Sequence, residues 1–361
     1  MRELKHKNLY YIGGIVRDMI LGKDSFDVDI TFVGNAIEFA QTIKDAEILQ
    51  VNDAFGTVKI KLQEKEIDLA STRNEIYPKP GHLPVVTEIG CSLKKDVLRR
   101  DFTINTLAKS LESGEIIDYL GGVKDIKSGT IRVLHDKSFI DDPTRIIRAL
   151  KFSVRFGFKE DEHTKHLQAE YLKNINYDMS YKRIKKELIE TFNLNSQEAF
   201  ESFFDEKIYK LLTTSDITRP DYNIQKLVTK YPVENIWLVY LGWMDISVLP
   251  LTKKEAKIIA DYKRLKQLPL ENDYEIYTAF TNSEKESLLL YAITGNENKV
   301  TTYFNELSKI KLTITGKDLQ NMGIKPSRKY SECFEYTLKE KLKNPQINEL
   351  ETAKNFFTQK H

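Results

Sequence analysis

Asp27-Val28-Asp29 stands in an apolar run with Ile30, Phe32 and Val33. On an extended strand, residues i and i+2 project to the same side, so both carboxylates would converge while Val28 and Ile30 face a core. Paired hard oxygen ligands suit Mg²⁺. Two such ions can activate an attacking hydroxyl and neutralise a leaving pyrophosphate. Alone, an Asp-x-Asp is more often a solvated strand face or a turn, but its surroundings add to it. Gly13-Gly14 closes the run Leu9-Tyr10-Tyr11-Ile12 and is followed by Arg17 and Asp18. Two glycines let a phosphate approach the backbone, and a helix start favours anions. Arg17, one turn in, can add a charge-assisted hydrogen bond to a triphosphate. Asp68, between Ile67 and Leu69, is a possible third carboxylate and equally a strand-end acid on the solvent face.

The elements that would carry these groups can be read from periodicity. Leu9–Ile12 reads as a strand, Ile15–Leu21 as a helix closed by Gly22, Asp27–Val33 as a strand and Ala36–Ile43 as a helix. Thr57–Leu62 alternates at strand period, and Ile67–Ala70 is a candidate partner. Tyr77–Gly90, with Pro78, Pro80, Gly81 and Pro84, reads as a loop. After Asp141 glycine and proline thin out and apolar residues recur at helical spacing, as in Ile146, Ile147, Leu150 and Val154, then Ile184, Leu188 and Phe192. The stretch Val133–Ile140 therefore marks a change from mixed α/β to helical architecture. Trp237 and Trp243 fall in an apolar helical stretch and read as core.

Five motifs in order make the pattern specific. Gly13-Gly14-Ile15-Val16-Arg17-Asp18 with Asp27-Val28-Asp29 resembles the first motif of class II tRNA nucleotidyltransferases and bacterial poly(A) polymerases. Arg99-Arg100-Asp101-Phe102-Thr103-Ile104-Asn105 resembles the second, and Gly121-Gly122-Val123-Lys124-Asp125 with Gly129 and Arg132 the third. Asp141-Asp142-Pro143-Thr144-Arg145-Ile146-Ile147-Arg148 resembles the fourth, and Arg183-Ile184-Lys185-Lys186-Glu187-Leu188 the fifth. The match covers residues 10 to 190, with a weaker echo at Thr315–Pro326.

The resemblance implies an α+β multidomain fold. A polymerase β-like nucleotidyltransferase head, a mixed sheet with helices, would occupy 1–135. A helical neck with a nucleotide-selecting motif (136–195), a helical body (196–265) and a helical, tRNA-binding tail (266–361) would follow. It implies that Asp27 and Asp29 are catalytic and hold Mg²⁺, and that Gly14 and Arg17 contact the triphosphate. Arg100 would help bind the nucleotide.

Base choice follows from the fourth motif. Asp142-Pro143 has the form of a helix cap followed by proline at the first helical position. Asp142, Arg145, Arg148 and Lys151, three apart, would share one polar stripe. A carboxylate beside a guanidinium imitates a base-pairing edge. The acid accepts from an exocyclic amine and the arginine donates to a ring nitrogen, a match for cytosine and adenine and a mismatch for uracil and guanine. The family assigns this template role to the positions of Asp142 and Arg145, with Arg148 supporting that site or the phosphates. In isolation the same stripe reads as a helix cap and a solvated face. Two residues depart from the family pattern: Asp141 stands where Glu is usual, and Lys151 where a third Arg is common. Lysine cannot make the same fork-shaped contact.

Bulk properties agree with this reading. The 361 residues are 41% hydrophobic and 30% charged, with a formal net charge of +2. Such a chain reads as globular, and its total charge does not announce a nucleic-acid partner. Locally, Lys309, Lys311, Lys317, Lys325, Arg328, Lys329, Lys339, Lys341 and Lys343 form a basic stretch that would attract RNA phosphates. Cys91 and Cys333 imply no disulfide framework, and no signal-peptide pattern or membrane-spanning run is present. The expectation is a cytoplasmic enzyme that uses Mg²⁺, takes ATP and CTP as substrates and adds C and/or A to the tRNA 3′ end. A CC-adding or A-adding enzyme and a poly(A) polymerase share the chemistry. A catalytically inactive RNA-binding protein of the same fold is the alternative from a different class. The six histidines are scattered and receive no catalytic role.

Overall fold

The computed structural model describes residues 6–24 and 28–359. The chain forms two compact units. One runs up to Ile217 and takes in Val248–Pro250; the other comprises Thr218–Ser247 and the chain from Leu251 on.

The first unit is built on a seven-stranded sheet. Its elements are β1 (Leu9–Ile12), α1 (Gly14–Ile20), β2 (Asp29–Phe32), α2 (Ala36–Ala40), β3 (Glu47–Asn52), β4 (Thr57–Leu62) and β5 (Lys65–Ser71). There follow β6 (Arg73–Ile76), β7 (Val85–Ile89), α3 (Leu93–Leu98), β8 (Ala108–Ser110), β9 (Ile116–Ile117), α4 (Gly122–Ser128) and β10 (Thr130–Ile131). Strand order is β3-β4-β5-β2-β1-β8-β9. Only the central β2–β5 pair is parallel, which makes the sheet mixed.

Alternation in β4 and β5 sends Val58, Ile60, Leu62, Ile67 and Leu69 to one buried face with Leu9 and Ile30. The α2 residues Ala36 and Ala40 cover that face. Burying each of the Val, Leu and Ile side chains contributes about 1.5–3 kcal/mol.

Tyr77–Gly90 is not all loop. Val85–Ile89 is a strand paired antiparallel with β6, Ile76 opposite Val85 and Arg73 opposite Ile89. Proline and glycine crowd only into residues 78–84. Beyond Pro84 the run Val85-Val86-Thr87 is β-branched and pairs as such residues do. The strand expected over Asp27–Val33 is observed over Asp29–Phe32. The α2 helix ends at Ala40, short of Ile43.

Helices follow: α5 (Ser138–Asp141), α6 (Thr144–Phe156), α7 (Glu162–Lys173), α8 (Tyr181–Phe192) and α9 (Gln197–Asp205). Past residue 140 the regular elements of this unit are helices apart from β11 (Lys159–Glu160), which pairs with β10. The apolar sides of α6 (Ile146, Ile147, Leu150) and α8 (Ile184, Leu188, Phe192) are buried.

The second unit is helical: α10 (Ile224–Lys230), α11 (Ile236–Leu241), α12 (Lys253–Leu265), α13 (Asp273–Thr281), α14 (Lys285–Tyr291), α15 (Glu297–Asn305), α16 (Gly316–Asn321), α17 (Lys329–Lys343) and α18 (Glu349–Gln359). Trp237 is buried; Trp243 is half-buried and donates through its indole N–H to the Tyr240 carbonyl at 2.8 Å. Ile314, Leu319, Cys333, Ala353 and Phe356 form a separate apolar cluster. Cys91 and Cys333 are both free thiols. Among the described residues no helix is long and apolar enough to cross a membrane.

Candidate active site

The glycine turn is shaped by Gly13 rather than Gly14. Gly13 sits at φ 72°, ψ −122°, a backbone region reserved for glycine. A Cβ there would stand 2.7 Å from Arg100 Nη1. Gly14 opens α1 with an ordinary backbone, and its nearest neighbour in Cβ direction is Arg17 Nη2 at 3.5 Å.

Arg17 is buried, not an exposed side chain reaching out. It donates from Nε to Asp18 Oδ1 (2.9 Å) and from Nη1 to Asn105 Oδ1 (2.6 Å), and it lies over the rings of Phe156 (4.4 Å) and Phe152 (5.2 Å). Burial pulls its pKa below the ordinary arginine value.

Asp27 lies outside the described residues. Asp29, at the start of β2, is exposed, while Ile30 is buried and Val28 packs against the sheet core. Asp29 is the register partner of Asp68 on the parallel strand β5, so the two side chains leave the sheet on one face. Asp68 also pairs with Lys59 Nζ at 3.6 Å. Asp29 lines two cavities. One, of about 680 Å³, is also lined by Gly14, Arg17, Arg100, Asp142, Arg145 and Arg148. The other, of about 400 Å³, contains Asp68 and Lys59. Among the described residues no group of three or more His, Cys, Asp or Glu is gathered closely enough to hold a metal ion.

The second motif supplies charge in layers. Asp96, fully buried on α3, accepts from the Arg73 amide (3.0 Å), Arg99 Nε (3.0 Å) and Arg100 Nη2 (3.4 Å). Burial opposes its charge, but Arg100 and Arg99 outweigh it and hold the carboxyl below the usual carboxylate range. Arg100 lines both cavities, and its buried Nε has no hydrogen-bond partner among the described residues. Asp101 accepts from Asn105 Nδ2 (2.9 Å) and its neighbour's amide (2.8 Å) through Oδ1, and from Arg148 Nε (2.8 Å) and Nη2 (2.6 Å) through Oδ2. Burial is again overcome, here by Arg148 first, and the Asp101 carboxyl is held far below its usual range.

The fourth motif forms the expected cap. Asp142 is extended, Pro143 is already helical, and Asp142 Oδ1 accepts from the amide (3.1 Å) and hydroxyl (2.6 Å) of Thr144. Its Oδ2 accepts from Arg183 on α8. Capping and cavity lining thus coexist in one side chain. Arg145, 3% exposed, donates to Ser138 Oγ (2.7 Å) and the Arg99 carbonyl (3.2 Å) and faces the Tyr77 ring at 5.8 Å.

The stripe is not a solvated face. It meets a matching acidic stripe on α8: Arg148 Nη1 donates to Glu187 at 3.2 Å, and Lys151 Nζ donates to Glu187 and Glu190, both at 2.6 Å. Arg148 is thus spent on Asp101 and Glu187 rather than held ready for phosphate. Lys151, 8% exposed, serves as a packed cation between two acids.

Sequence reasoning gave no role to Asp96, Asp101 or Glu75, the last of which accepts from Arg73 Nε (2.6 Å) and Arg99 Nη1 (3.3 Å). Asp101 lay in a quoted motif, but its partner stands 47 positions away. Tyr77 opens the loop 77–84, which is fastened to both later motifs: the Gly81 amide donates to the Asp141 carbonyl (3.0 Å), the Ser180 amide to the Gly81 carbonyl (2.9 Å) and Arg183 Nη1 to the His82 carbonyl (3.1 Å).

In the second unit three of the nine expected basic residues are neutralised locally. Lys339 pairs with Glu335, Lys341 with Glu349 and Lys343 with Glu340. Lys309, Lys311, Lys317, Lys325, Arg328 and Lys329 are exposed.

Residues 9–132 match the family model of the poly A polymerase head domain. The A-adding tRNA nucleotidyltransferase of Aquifex aeolicus (strain VF5) is 31% identical over 353 residues, covering 88% of this chain and 43% of that protein. The A-adding tRNA nucleotidyltransferase of Halalkalibacterium halodurans is 28% identical over 386 residues, covering 98% and 90%. The chain thus spans less than half the length of the Aquifex relative and nine tenths of the other. Among solved structures, the apo form II of a CCA-adding enzyme superposes with a TM-score of 0.81 at 26% identity, covering 97% of this chain and 91% of that one. The matched residues 9–132 take in the mixed sheet built around β1, β2 and β5.

Proposed function

We propose that this chain is a tRNA nucleotidyltransferase that adds C and/or A residues to the tRNA 3′ end from CTP and ATP, without a nucleic-acid template. One observation carries the reading: side chains from the first, second and fourth motifs, together with Arg183 and Glu187 of the fifth, line a single 680 Å³ cavity. The names of the relatives supply the acceptor, and a tRNA acceptor implies a cytoplasmic enzyme. The division into head (1–135), neck (136–195), body (196–265) and tail (266–361) is part of the same proposal.

The donor set suits Mg²⁺, because Asp29 and the nearby Asp27 of the sequence offer hard carboxylate oxygens and Asp68 stands in register with Asp29. When bound, Mg²⁺ would promote attack of the tRNA 3′-hydroxyl on the α-phosphorus and offset the charge of the departing pyrophosphate. Gly14 leaves room for phosphate at the start of α1, and Arg100 faces the sugar and phosphates. Asp142 has about four acceptor positions on its two oxygens, of which Thr144 takes two and Arg183 one. The position left fits one exocyclic amine. Arg145 holds two longer contacts at 3.5 Å, to Ser138 O and Tyr77 Oη, which a base edge would replace.

The test offers CTP and ATP, separately and together, to tRNAs ending before CCA, after C and after CC, and sequences the products. Addition of C, A or both supports the proposal. No addition to any acceptor defeats it. A second reading, addition of A alone, is favoured by the A-adding names of the Aquifex and Halalkalibacterium relatives. It requires product from the CC-ending tRNA only.

A further inference from the structure

The arginines on the wall of the larger cavity are mostly engaged. Those at 17, 73, 99, 100, 145, 148 and 183 each have an acceptor within 3.4 Å. Arg155 differs. Its side chain is 47% exposed, and its ion pair with Asp18 Oδ2 is long, at 3.7 Å. Asp18 is already bonded by Arg17.

Arg155 also belongs to a cationic cluster. Its guanidinium lies 5.1 Å from the centre of the Phe156 ring, which has Arg17 at 4.4 Å and the Lys23 ammonium at 4.9 Å. Lys23 is exposed. Arg17, Lys23 and Arg155 thus gather around one ring at the edge of the glycine turn. Here the cavity is bounded by Gly14, Ile15 and Asp18.

We propose that Arg155, backed by Lys23, binds the terminal phosphates of the incoming nucleoside triphosphate and the pyrophosphate that leaves. The inference rests on the nucleotidyltransferase reading. Arg145 and Arg155 lie ten residues apart on α6, about 15 Å along the helix axis. That spacing sets a base-reading group at one end and a phosphate-binding group at the other, as an extended nucleotide requires. A half-exposed guanidinium gains more from a dianionic phosphate than from a distant, shared carboxylate. An RNA backbone phosphate offers the same oxygens, but the position beside the glycine turn of α1 favours the triphosphate. Arg155 also stands in the last turn of α6, where any cation complements the helix dipole; the experiment must separate that role from phosphate binding.

Arg155→Gln, Arg155→Lys and Lys23→Gln are compared with the wild-type chain in steady-state incorporation. Melting temperatures are recorded, and pyrophosphate binding is followed by calorimetry. Arg155→Gln is expected to raise KM for ATP and CTP roughly tenfold or more. Pyrophosphate affinity should weaken in parallel, KM for tRNA should stay unchanged, Arg155→Lys should recover part of the loss, and Lys23→Gln should shift the same constants less. A rise in KM for tRNA alone would assign the residue to RNA phosphates and overturn the proposal. So would a lower melting temperature with nucleotide KM and pyrophosphate affinity within twofold of wild type. A wild-type chain that incorporates nothing defeats the nucleotidyltransferase reading, whereas pyrophosphate affinity lost in Arg155→Gln would still support the phosphate site.

Discussion

Arg183 holds one oxygen of the Asp142 carboxylate from the far side, across 41 positions of sequence, while Thr144 holds the other. The acid proposed to read the base is thereby oriented by a helix that also lines the cavity. Replacing Arg183 by Gln should leave Asp142 loosely held. Each hydrogen bond lost in a buried site costs about 1–3 kcal/mol. Discrimination of CTP and ATP against UTP and GTP should therefore fall at least fivefold. Competition assays with paired nucleotides measure it, and unchanged ratios would count against an orienting role.

Gly13 and Gly14 are neighbours with opposite demands. Alanine at 13 would adopt a disfavoured φ and meet Arg100 Nη1 at 2.7 Å; alanine at 14 meets only Arg17 Nη2 at 3.5 Å. The strained position costs about 1–3 kcal/mol. Gly13→Ala is expected to lower both melting temperature and nucleotide affinity, with Gly14→Ala milder in each. Equal effects would contradict the geometry.

Lys151 is a buried cation facing Glu187 and Glu190. Lys151→Met leaves Glu187 buried without that cation, and removal of one partner of such a pair costs about 3 kcal/mol. At roughly 2–4 °C per kcal/mol for a unit of this size, the melting temperature should drop about 6–12 °C. Lys151→Arg keeps the charge and should melt close to wild type. Calorimetry of both variants decides it.

Glu160 gives a pH dependence. Burial, then the nearby Glu206, pushes its carboxyl up to about 8. In the unfolded chain the group titrates near about 4.3. Between those values the folded protein keeps a proton that the unfolded chain gives up, so stability falls as pH rises through this window. Glu160→Gln removes that titration. Its melting temperature should decline less than wild type between pH 5 and pH 8, and parallel curves would exclude the effect.

Much of this arrangement was legible beforehand. Alternation exposed β4 and β5 as a pair, and helical spacing found α6 and α8. These are local patterns imposed by a single buried face. Val85–Ile89 escaped notice because nearby prolines masked a β-branched run. So did β3, whose six residues are all exposed and carry no one-sided pattern. The site residues were found by type and order, but their partners were not. Nothing local to Arg148 shows that its guanidinium is occupied by Asp101 and Glu187, or that Lys151 is buried, because those contacts form only when α6 lies against α8 and against the segment after α3. Arg155, which belongs to none of the quoted motifs, became visible only through the exposure it keeps.

The α6 helix runs unbroken from Thr144 to Phe156, with Ala149 fully buried at its middle. It acts mechanically as a stiff rod, so Arg145 and Arg155 cannot be displaced independently. A kink introduced at Ala149 would misalign both ends of the pocket at once, and no local adjustment at either end could restore the other.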